Sequence, residues 1–145
     1  MFRRKLASAF TLIEILIVIG IIALLAGAVL ASISGQREKA QVNKVLAEMS
    51  ARLQPMMICW SDGGNVSSPD DQGGGDICSL NSNYGKWAVL PSGFTNYVSN
   101  NNNSSNDWYV YTTGGGVKIC CNSTTSQCGV INLGDRCNAN EPTNF

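Results

Sequence analysis

The chain has 145 residues, which is enough for one small domain. Its ten Lys and Arg balance ten Asp and Glu, so bulk charge gives no support to nucleic-acid binding. It contains no histidine, which excludes Ser-His-Asp and Cys-His catalysis and removes the commonest zinc ligand. No pairing of a nucleophile with a base is evident, so no catalytic residue, cofactor or enzyme activity is predicted.

The first predicted element is an apolar helix that is long enough to cross a membrane. Residues 15–31 are apolar or small without interruption, and residues 10–14 extend the segment to the roughly twenty residues that a bilayer requires. The basic residues 3–5 precede it and are predicted to stay cytoplasmic, which places the rest of the chain outside. A carboxylate, Glu14, lies within the apolar segment, where an unpaired charge is costly.

Two ordinary interpretations of this segment stay open. A secretory signal peptide would be cut after Ala28 or Ala31, where small residues recur, although its apolar part would be over-long and would contain a carboxylate. A plain single-pass anchor would let Glu14 reach the lipid headgroups near the membrane edge. The exact order of residues favours a third interpretation.

A short basic leader, the small residue Ala9 and then Phe-Thr-Leu-Ile-Glu at the head of a long apolar helix resemble the type IV pilin family, which includes the pseudopilins of type II secretion. The resemblance covers roughly residues 3–35. It implies that a prepilin peptidase removes residues 1–9 by cutting between Ala9 and Phe10, and then methylates the new amine of Phe10. The family usually has Gly before the cut, where this chain has Ala9.

The resemblance also implies that Glu14 acts in assembly. Phe10 and Glu14 are four residues apart and therefore lie on one helix face, where they can pair within a subunit. In a bundle of such helices, Glu14 of one subunit can meet the Phe10 amine of a neighbour, which removes most of the cost of burying the carboxylate. Glu14 is then a residue that sets the register of the subunits, and residues 10–34 form the transmembrane and assembly part of the helix.

The helical pattern continues over residues 35–61, where apolar side chains recur at three- and four-residue steps. This amphipathic stripe consists of Val42, Val45, Leu46, Met49, Leu53, Met56, Met57 and Trp60. Pro55 lies within the stripe, and we expect a kink near it. The helix is expected to end at Asp62-Gly63-Gly64.

Residues 62–145 are predicted to form a small β head. Residues 62–76, here called the Gly-rich loop, have the composition of a flexible segment. Strands are predicted over residues 86–90, 94–98, 108–112, 117–121 and 130–133. The third and fourth of these are joined through three glycines as a hairpin. The predicted fold class is therefore α+β, a long N-terminal helix packed against a small antiparallel sheet, which is also the head architecture of the resembled family.

Four aspartates of the Gly-rich loop are candidate calcium ligands, since some relatives in the resembled family bind calcium in their heads. They are Asp62, Asp70, Asp71 and Asp76. Their spacing matches no defined calcium-binding loop, and no metal site is predicted.

The cysteines all lie in this polar part and predict a disulfide framework in an oxidising compartment. They are Cys59, Cys78, Cys120, Cys121, Cys128 and Cys137. Cys59 ends the helix and Cys78 follows the Gly-rich loop, so we expect this pair.

Cys120 and Cys121 are adjacent on a predicted strand and face opposite ways, so one partner cannot easily serve both. We expect them to pair separately with Cys128 and Cys137, in an order that the sequence leaves open. Zinc binding by these four cysteines is the alternative.

The resemblance implies a structural subunit of a type IV pilus or a related filament that supports adhesion, motility or DNA uptake. The expected partners are other copies of the chain and related pilins, the prepilin peptidase, the inner-membrane assembly platform and, before assembly, membrane lipid. The expected location is the bacterial inner membrane, crossed once with the C-terminus outside, and then an extracellular pilus or a periplasmic pseudopilus.

Two alternatives stay open beside the major-subunit interpretation, for which no nucleic-acid partner is predicted. One is a pseudopilin for type II secretion. The other is a minor pilin at the filament tip whose head binds a surface or DNA through aromatic side chains, although such side chains in a small β head are more often part of the core. The candidates are Tyr84, Trp87, Trp108, Tyr109 and Tyr111.

Overall fold

The computed structural model describes residues 10–100 and 105–139, except for the side chains of residues 31–34. Within this part, the chain forms one long helix, α1 (Leu12–Ser61), a turn of 3-10 helix (Ser82–Tyr84) and a four-stranded sheet. The strands are β1 (Val98–Ser99), β2 (Tyr109–Gly114), β3 (Val117–Asn122) and β4 (Gln127–Ile131). The chain divides into two compact units, Met1–Arg37 and Glu38–Phe145. The predicted α+β class, with a long helix and a small antiparallel sheet, is confirmed.

In the unit Glu38–Phe145, the amphipathic part of α1 supplies one side of the core. Val45, Met49 and Met56 are buried. The partly buried members of the stripe that pack against them are Val42, Leu46, Leu53 and Trp60. Met57 is the exception, at 37% exposed, because the neighbouring Met56 takes the inward position. The helix runs through Pro55, and the kink expected near this residue stays a prediction.

A glycine cap closes the C-terminal end of α1. Gly63 has a φ of +79°, and its N–H donates to the Trp60 carbonyl at 3.1 Å. The next N–H, of Gly64, donates to the Cys59 carbonyl at 2.8 Å. These two bonds form a Schellman motif, which requires a residue in the left-handed region and therefore favours glycine. The predicted end of the helix is confirmed.

The four strands form an antiparallel meander in chain order. The hairpin between β2 and β3 closes at the pair Gly114 and Val117, with Gly115 and Gly116 in the two turn positions at φ values of +60° and +71°. Two consecutive positive φ values define a type I′ turn, whose twist matches that of the strands. The hairpin predicted through the three glycines is confirmed.

Alternation along the strands gives the sheet two different faces. Val110, Ile119 and Cys121 join the core cluster that contains the buried side chains of α1. The opposite side of the sheet, here called the outer face, carries a second and smaller cluster. It consists of Cys120, Ile131 and Cys137, with Tyr109 and Tyr111 partly buried against them.

The strand predicted over residues 86–90 is wrong. This segment pairs with the Gly-rich loop instead, where the Trp87 N–H donates to the Gly75 carbonyl at 2.8 Å. Gly73 and Gly74 have positive φ values, which interrupt the extended backbone that a regular ladder beside residues 86–90 requires. The loop is therefore held along its length by backbone hydrogen bonds.

Two other predicted strands have different bounds. Over residues 94–98 the structure has an isolated bridge at Phe94 and then the two-residue strand β1. Strand β4 lies earlier in the chain than the predicted strand over residues 130–133. Its end is fixed by a turn in which Asn132 donates to the Asp135 carboxylate from both its backbone N–H and its side-chain amide, each at 3.1 Å.

Three disulfides hold the head together, and within the described residues, which include all six cysteines, no cysteine is free. The pairs are Cys59 with Cys78, Cys120 with Cys137, and Cys121 with Cys128. The first pair joins the end of α1 to the residues after the Gly-rich loop. The other two disulfides start from Cys120 and Cys121, which lie on opposite faces of β3. The pairing that the sequence left open is therefore Cys120 with Cys137 and Cys121 with Cys128. Because all of these thiols are oxidised, the zinc alternative has no thiolate ligand.

Protein isolated from its native compartment is expected to show no reactive thiol under denaturing conditions, since all six cysteines are paired. Thiol titration in denaturant, with and without prior reduction, measures this directly. Six reactive thiols before reduction would contradict the disulfide framework and the oxidising location.

The stability of the head is expected to fall at high pH because of Tyr97. This side chain is buried, and its hydroxyl donates to the Ala88 carbonyl at 3.0 Å. Burial, and next the negative charge of Glu48, raise the pKa of Tyr97 to about 12. A tyrosine in the unfolded chain ionises near pH 10, so the contribution to stability is complete below pH 10 and is lost as the pH rises through 12. We expect a loss of about 2 kcal/mol over this range.

Denaturant titrations of the full chain from pH 8 to pH 12, followed by the fluorescence of the three tryptophans, measure this loss. The matched control is Tyr97→Phe, which cannot ionise. It is expected to lose about 1 kcal/mol at neutral pH through the missing hydrogen bond, and to lose less than the wild type at alkaline pH. An equal alkaline loss in both proteins would show that Tyr97 is not its source.

Candidate assembly site

The first turn of α1 is closed by hydrogen bonds between Thr11 and Glu14. The Glu14 Oε2 atom accepts the Thr11 backbone N–H at 2.8 Å and the Thr11 hydroxyl at 2.9 Å. The Glu14 N–H in turn points to the Thr11 hydroxyl oxygen at 3.4 Å. This is a capping box, in which Thr11 is the N-cap and Glu14 is the third helical residue.

The capping box gives Glu14 a local partner in addition to the Phe10 amine that the sequence predicts. The signal for it is present in the sequence, because Thr-Leu-Ile-Glu before an apolar run has the spacing of a capping box. The carboxylate of Glu14 also lies near the N-terminus of α1, where the unpaired backbone N–H groups favour a negative charge. Neither bond from Thr11 uses the Oε1 atom of Glu14, so a further donor can bind there.

The apolar side chains around and after this turn are exposed on every side of the helix. From Phe10 to Leu30, the large apolar side chains are between 52% and 82% exposed. By length and composition, α1 is the one helix in the described part of the chain that can cross a membrane, and its most apolar window has a mean hydropathy of 2.9. Exposed apolar surface costs about 25 cal/mol per Å² in water, so this segment requires lipid or other apolar helices around it.

Two of the predicted site residues stand at the edge of what the structure describes. Ala9, on the leader side of the predicted cut, lies outside the described residues. Phe10 precedes α1 and is 80% exposed, so its backbone is not enclosed by the rest of the unit. Cleavage between these residues and methylation of Phe10 stay predictions.

Comparison with known protein families identifies the segment that contains this site. The model of the prokaryotic N-terminal methylation motif matches residues 4–30. This motif is the signature of type IV pilins and pseudopilins, and the chain carries it, as the sequence analysis predicted. The match supports a type IV pilin-like or pseudopilin protein, and it points to a structural subunit rather than an enzyme.

The matched residues fit anchoring in a membrane before assembly, together with the long apolar helix. They also indicate assembly with other pilins and processing by a prepilin peptidase. No curated protein and no solved structure matched the chain. The β head therefore has to be interpreted from its own geometry.

The aromatic side chains considered as ligand contacts fall into two groups. Trp87 and Trp108 are 3% exposed and belong to the main core. Tyr84 donates to the Asp62 carboxylate at 2.6 Å, and this hydrogen bond raises the pKa of Tyr84. Only Tyr109 and Tyr111 lie together on the outer face of the sheet, where they are partly buried.

The candidate calcium ligands have separate surroundings. Asp62 accepts the hydroxyl of Tyr84, and Asp76 forms an ion pair with Lys86 at 2.9 Å. The Asp70 carboxylate lies beside the Gly75 backbone. Within residues 10–100 and 105–139, no three His, Cys, Asp or Glu side chains gather in a way that could hold a metal ion.

Proposed function

We propose that this chain is a structural subunit of a type IV pilus or a related filament, assembled from the membrane through α1. The observation that carries the proposal is the methylation motif over residues 4–30 at the head of a helix whose apolar side chains are exposed on all sides. Such a surface is stable first in lipid and then in a bundle of identical helices. The roles of such a filament in adhesion, motility or DNA uptake are part of the proposal.

The first step in the proposed route is processing. A prepilin peptidase cuts between Ala9 and Phe10 and methylates the new amine. Cleavage creates a cation at Phe10 in place of a neutral amide, one residue before the capping box of Thr11 and Glu14. The Glu14 carboxylate can then pair with the Phe10 amine of its own subunit or with the Phe10 amine of a neighbouring subunit.

The orientation follows from charge and redox chemistry. Arg3, Arg4 and Lys5 keep the leader in the cytoplasm under the positive-inside rule, so the head emerges on the opposite side. Three disulfides that pair all six cysteines of the head are consistent with that oxidising side of the membrane.

Assembly is proposed to depend on the pairing of Glu14 with the Phe10 amine of a neighbour. Moving an unpaired carboxylate into a helix bundle is strongly unfavourable, and an opposite charge at contact distance offsets most of that cost. Subunits therefore leave the lipid only in the register that brings the two charges together. Glu14 acts as a positioning residue and takes part in no reaction.

The experiment that tests the proposal locates the subunit. Cells are sheared, and the released filaments, the membranes and the periplasm are each probed with an antibody against the head. A pilus subunit is expected in the sheared filaments and in the inner membrane. Its confinement to the inner membrane and the periplasm would favour the pseudopilin alternative, and release of monomers into the medium without filaments would contradict both.

A further inference from the structure

The outer face of the sheet carries a pair of nearly parallel tyrosines, Tyr109 and Tyr111, that have no part in the proposed assembly site. Tyr109 and Tyr111 are two residues apart on β2 and therefore point to the same side. Their ring centroids are 6.3 Å apart, and the ring planes differ by only 19°. Both side chains pack on the small cluster around the Cys120–Cys137 disulfide, which leaves part of each ring at the surface.

The two rings line an open groove of about 410 Å³. The rest of the lining comes from Lys118 of β3 and from the segment that follows β4, with Gly134, Asp135, Arg136, Cys137 and Asn138. The groove is thus lined by two aromatic rings together with polar and charged groups. This composition suits a ligand that has both apolar C–H faces and many hydroxyl groups.

Several contacts hold Lys118, Asp135 and Cys137 in place before any ligand arrives. The Lys118 ammonium lies 5.2 Å from the centre of the Tyr111 ring and donates to the Asp135 carbonyl. The Asp135 carboxylate is held by the backbone and the side chain of Asn132. The disulfide to Cys137 ties the same segment to the sheet. Groups fixed in this way lose little entropy on binding, so the part of the groove formed by Lys118 and Asp135 is preorganised.

The charges in the groove favour a ligand with a negative group. Lys118 and Arg136 supply two cations, against the single carboxylate of Asp135. Arg136 is exposed and forms no ion pair with any residue that the structure describes. A guanidinium binds a carboxylate through two parallel hydrogen bonds, which gives both strength and orientation.

We propose that this groove is a binding site for an acidic carbohydrate, a sugar unit that carries a carboxylate. The C–H face of the sugar ring packs on Tyr109 and Tyr111. Arg136 binds the carboxylate, with Lys118 adding positive potential beside it. Asp135 accepts hydrogen bonds from the hydroxyl groups of the sugar. This binding activity goes beyond assembly, because it concerns the head alone.

Single-stranded nucleic acid is the other ligand class that combines stacking with negative charge, and the charge of the chain disfavours it. Outside the basic residues 3–5, the chain has seven Lys and Arg against ten Asp and Glu. Nucleic-acid affinity depends on neutralising many phosphates, and this groove offers two cations beside a carboxylate.

The test uses the full chain in a detergent without a sugar headgroup. Binding of this protein is measured to a panel of immobilised oligosaccharides that carry uronic or sialic acids. Each oligosaccharide is printed beside its carboxyl-reduced counterpart. A twelve-residue oligodeoxythymidine completes the panel. The variants are Arg136→Gln, Tyr111→Ala and Tyr111→Phe, and the matched control is Arg37→Gln, which removes an exposed arginine from the other unit. Tryptophan fluorescence and thiol titration establish that each variant is folded.

We expect saturable binding to at least one acidic sugar, and binding at least tenfold weaker to its carboxyl-reduced form. Arg136→Gln is expected to lose at least tenfold in affinity, while Arg37→Gln binds as the wild type does. Tyr111→Phe, which keeps the ring, is expected to lose less affinity than Tyr111→Ala. Tyr111→Ala, if folded, is expected to bind weakly. Absence of binding to every acidic sugar, equal binding to the reduced forms, or an unchanged Arg136→Gln would overturn the proposal. So would binding of the oligodeoxythymidine in preference to the sugars. None of these outcomes bears on filament formation, which is tested separately.

Discussion

A Glu14→Gln subunit is expected to enter the membrane and to be cleaved, but to form few or no filaments. Removing a carboxylate from an apolar segment makes insertion easier, and the cut lies four residues away. In the filament, however, the Phe10 amine of each neighbour would enter the helix bundle without its opposite charge. Leaving one member of a buried ion pair unpaired costs on the order of 3–5 kcal/mol per subunit, which is sufficient to abolish assembly.

Because Gln can replace Glu in the capping box, Glu14→Gln removes the negative charge and keeps the local hydrogen bonding. Gln serves as well as Glu at the third helical position of a capping box, so the bond from the Thr11 N–H is retained. The matched control is Thr11→Val, which removes the N-cap hydroxyl but keeps the carboxylate of Glu14. It is expected to weaken the start of the helix by about 1 kcal/mol and to leave filaments in place.

Filament yield is measured by electron microscopy and by immunoblotting of sheared material, normalised to the amount of subunit in the membrane. Intact mass establishes that each variant has been processed. Normal filament yield from processed Glu14→Gln would show that the charge of Glu14 is not needed for assembly. Loss of filaments in Thr11→Val alone would assign the requirement to the capping box instead.

A Gly73→Ala head is expected to be destabilised by about 3 kcal/mol or more, or to fail to fold. Gly73 has a φ of +85°, which a residue with a Cβ atom rarely adopts. A Cβ at this position would also lie 1.9 Å from the Ala88 carbonyl oxygen, so the backbone of one segment must move. This contact lies where the Gly-rich loop packs against the segment over residues 86–90.

Gly85→Ala is the matched control for the backbone conformation. Gly85 has a φ of +89°, but a Cβ atom there would meet nothing within 4 Å. Its backbone, with φ +89° and ψ −174°, lies in a region that only glycine commonly adopts, so the substitution is expected to cost about 2 kcal/mol, the conformational cost alone. Denaturant titration of both oxidised variants by tryptophan fluorescence gives the comparison. A loss for Gly73→Ala no larger than that for Gly85→Ala would contradict the packing of the Gly-rich loop described above.

The parts of the fold that could be predicted from the sequence are those with a local chemical cause. The cap at Gly63 follows from the left-handed conformation that glycine allows. The hairpin follows from Gly115 and Gly116, which suit the two positions of a type I′ turn. The stripe on α1 follows from helical periodicity, which fails only at Met57, where the two adjacent residues Met56 and Met57 cannot both point inward.

The parts that could not be predicted depend on distant segments. Residues 86–90 have the composition of a strand, but their backbone partners are in the Gly-rich loop, and nothing in the local sequence identifies that partner. The order of the disulfides of Cys120 and Cys121 depends on the position of the chain after β4. That position is set by the turn between Asn132 and Asp135 together with the packing of the outer face.

The site divides in the same way. The methylation motif is continuous in sequence, so residues 4–30 can be recognised from the order of residues alone. The capping box is also encoded locally, in the spacing of Thr11 and Glu14. It was not predicted, because the cost of a charge in an apolar segment directs attention to an opposite charge, the amine of Phe10, as the partner of Glu14. The groove beside Tyr109 and Tyr111 could not be predicted, because it is formed by segments that meet only in the folded head.

The mature N-terminus tests the central claim most directly. Protein is recovered from native membranes and from sheared filaments, and its intact mass and N-terminal sequence are determined. A filament subunit of this class is predicted to begin at Phe10, with a methyl group on the amine, in both fractions. A mature chain that begins at Val29 or Ser32 would mean removal of the apolar segment by ordinary signal peptidase, and would contradict assembly through α1.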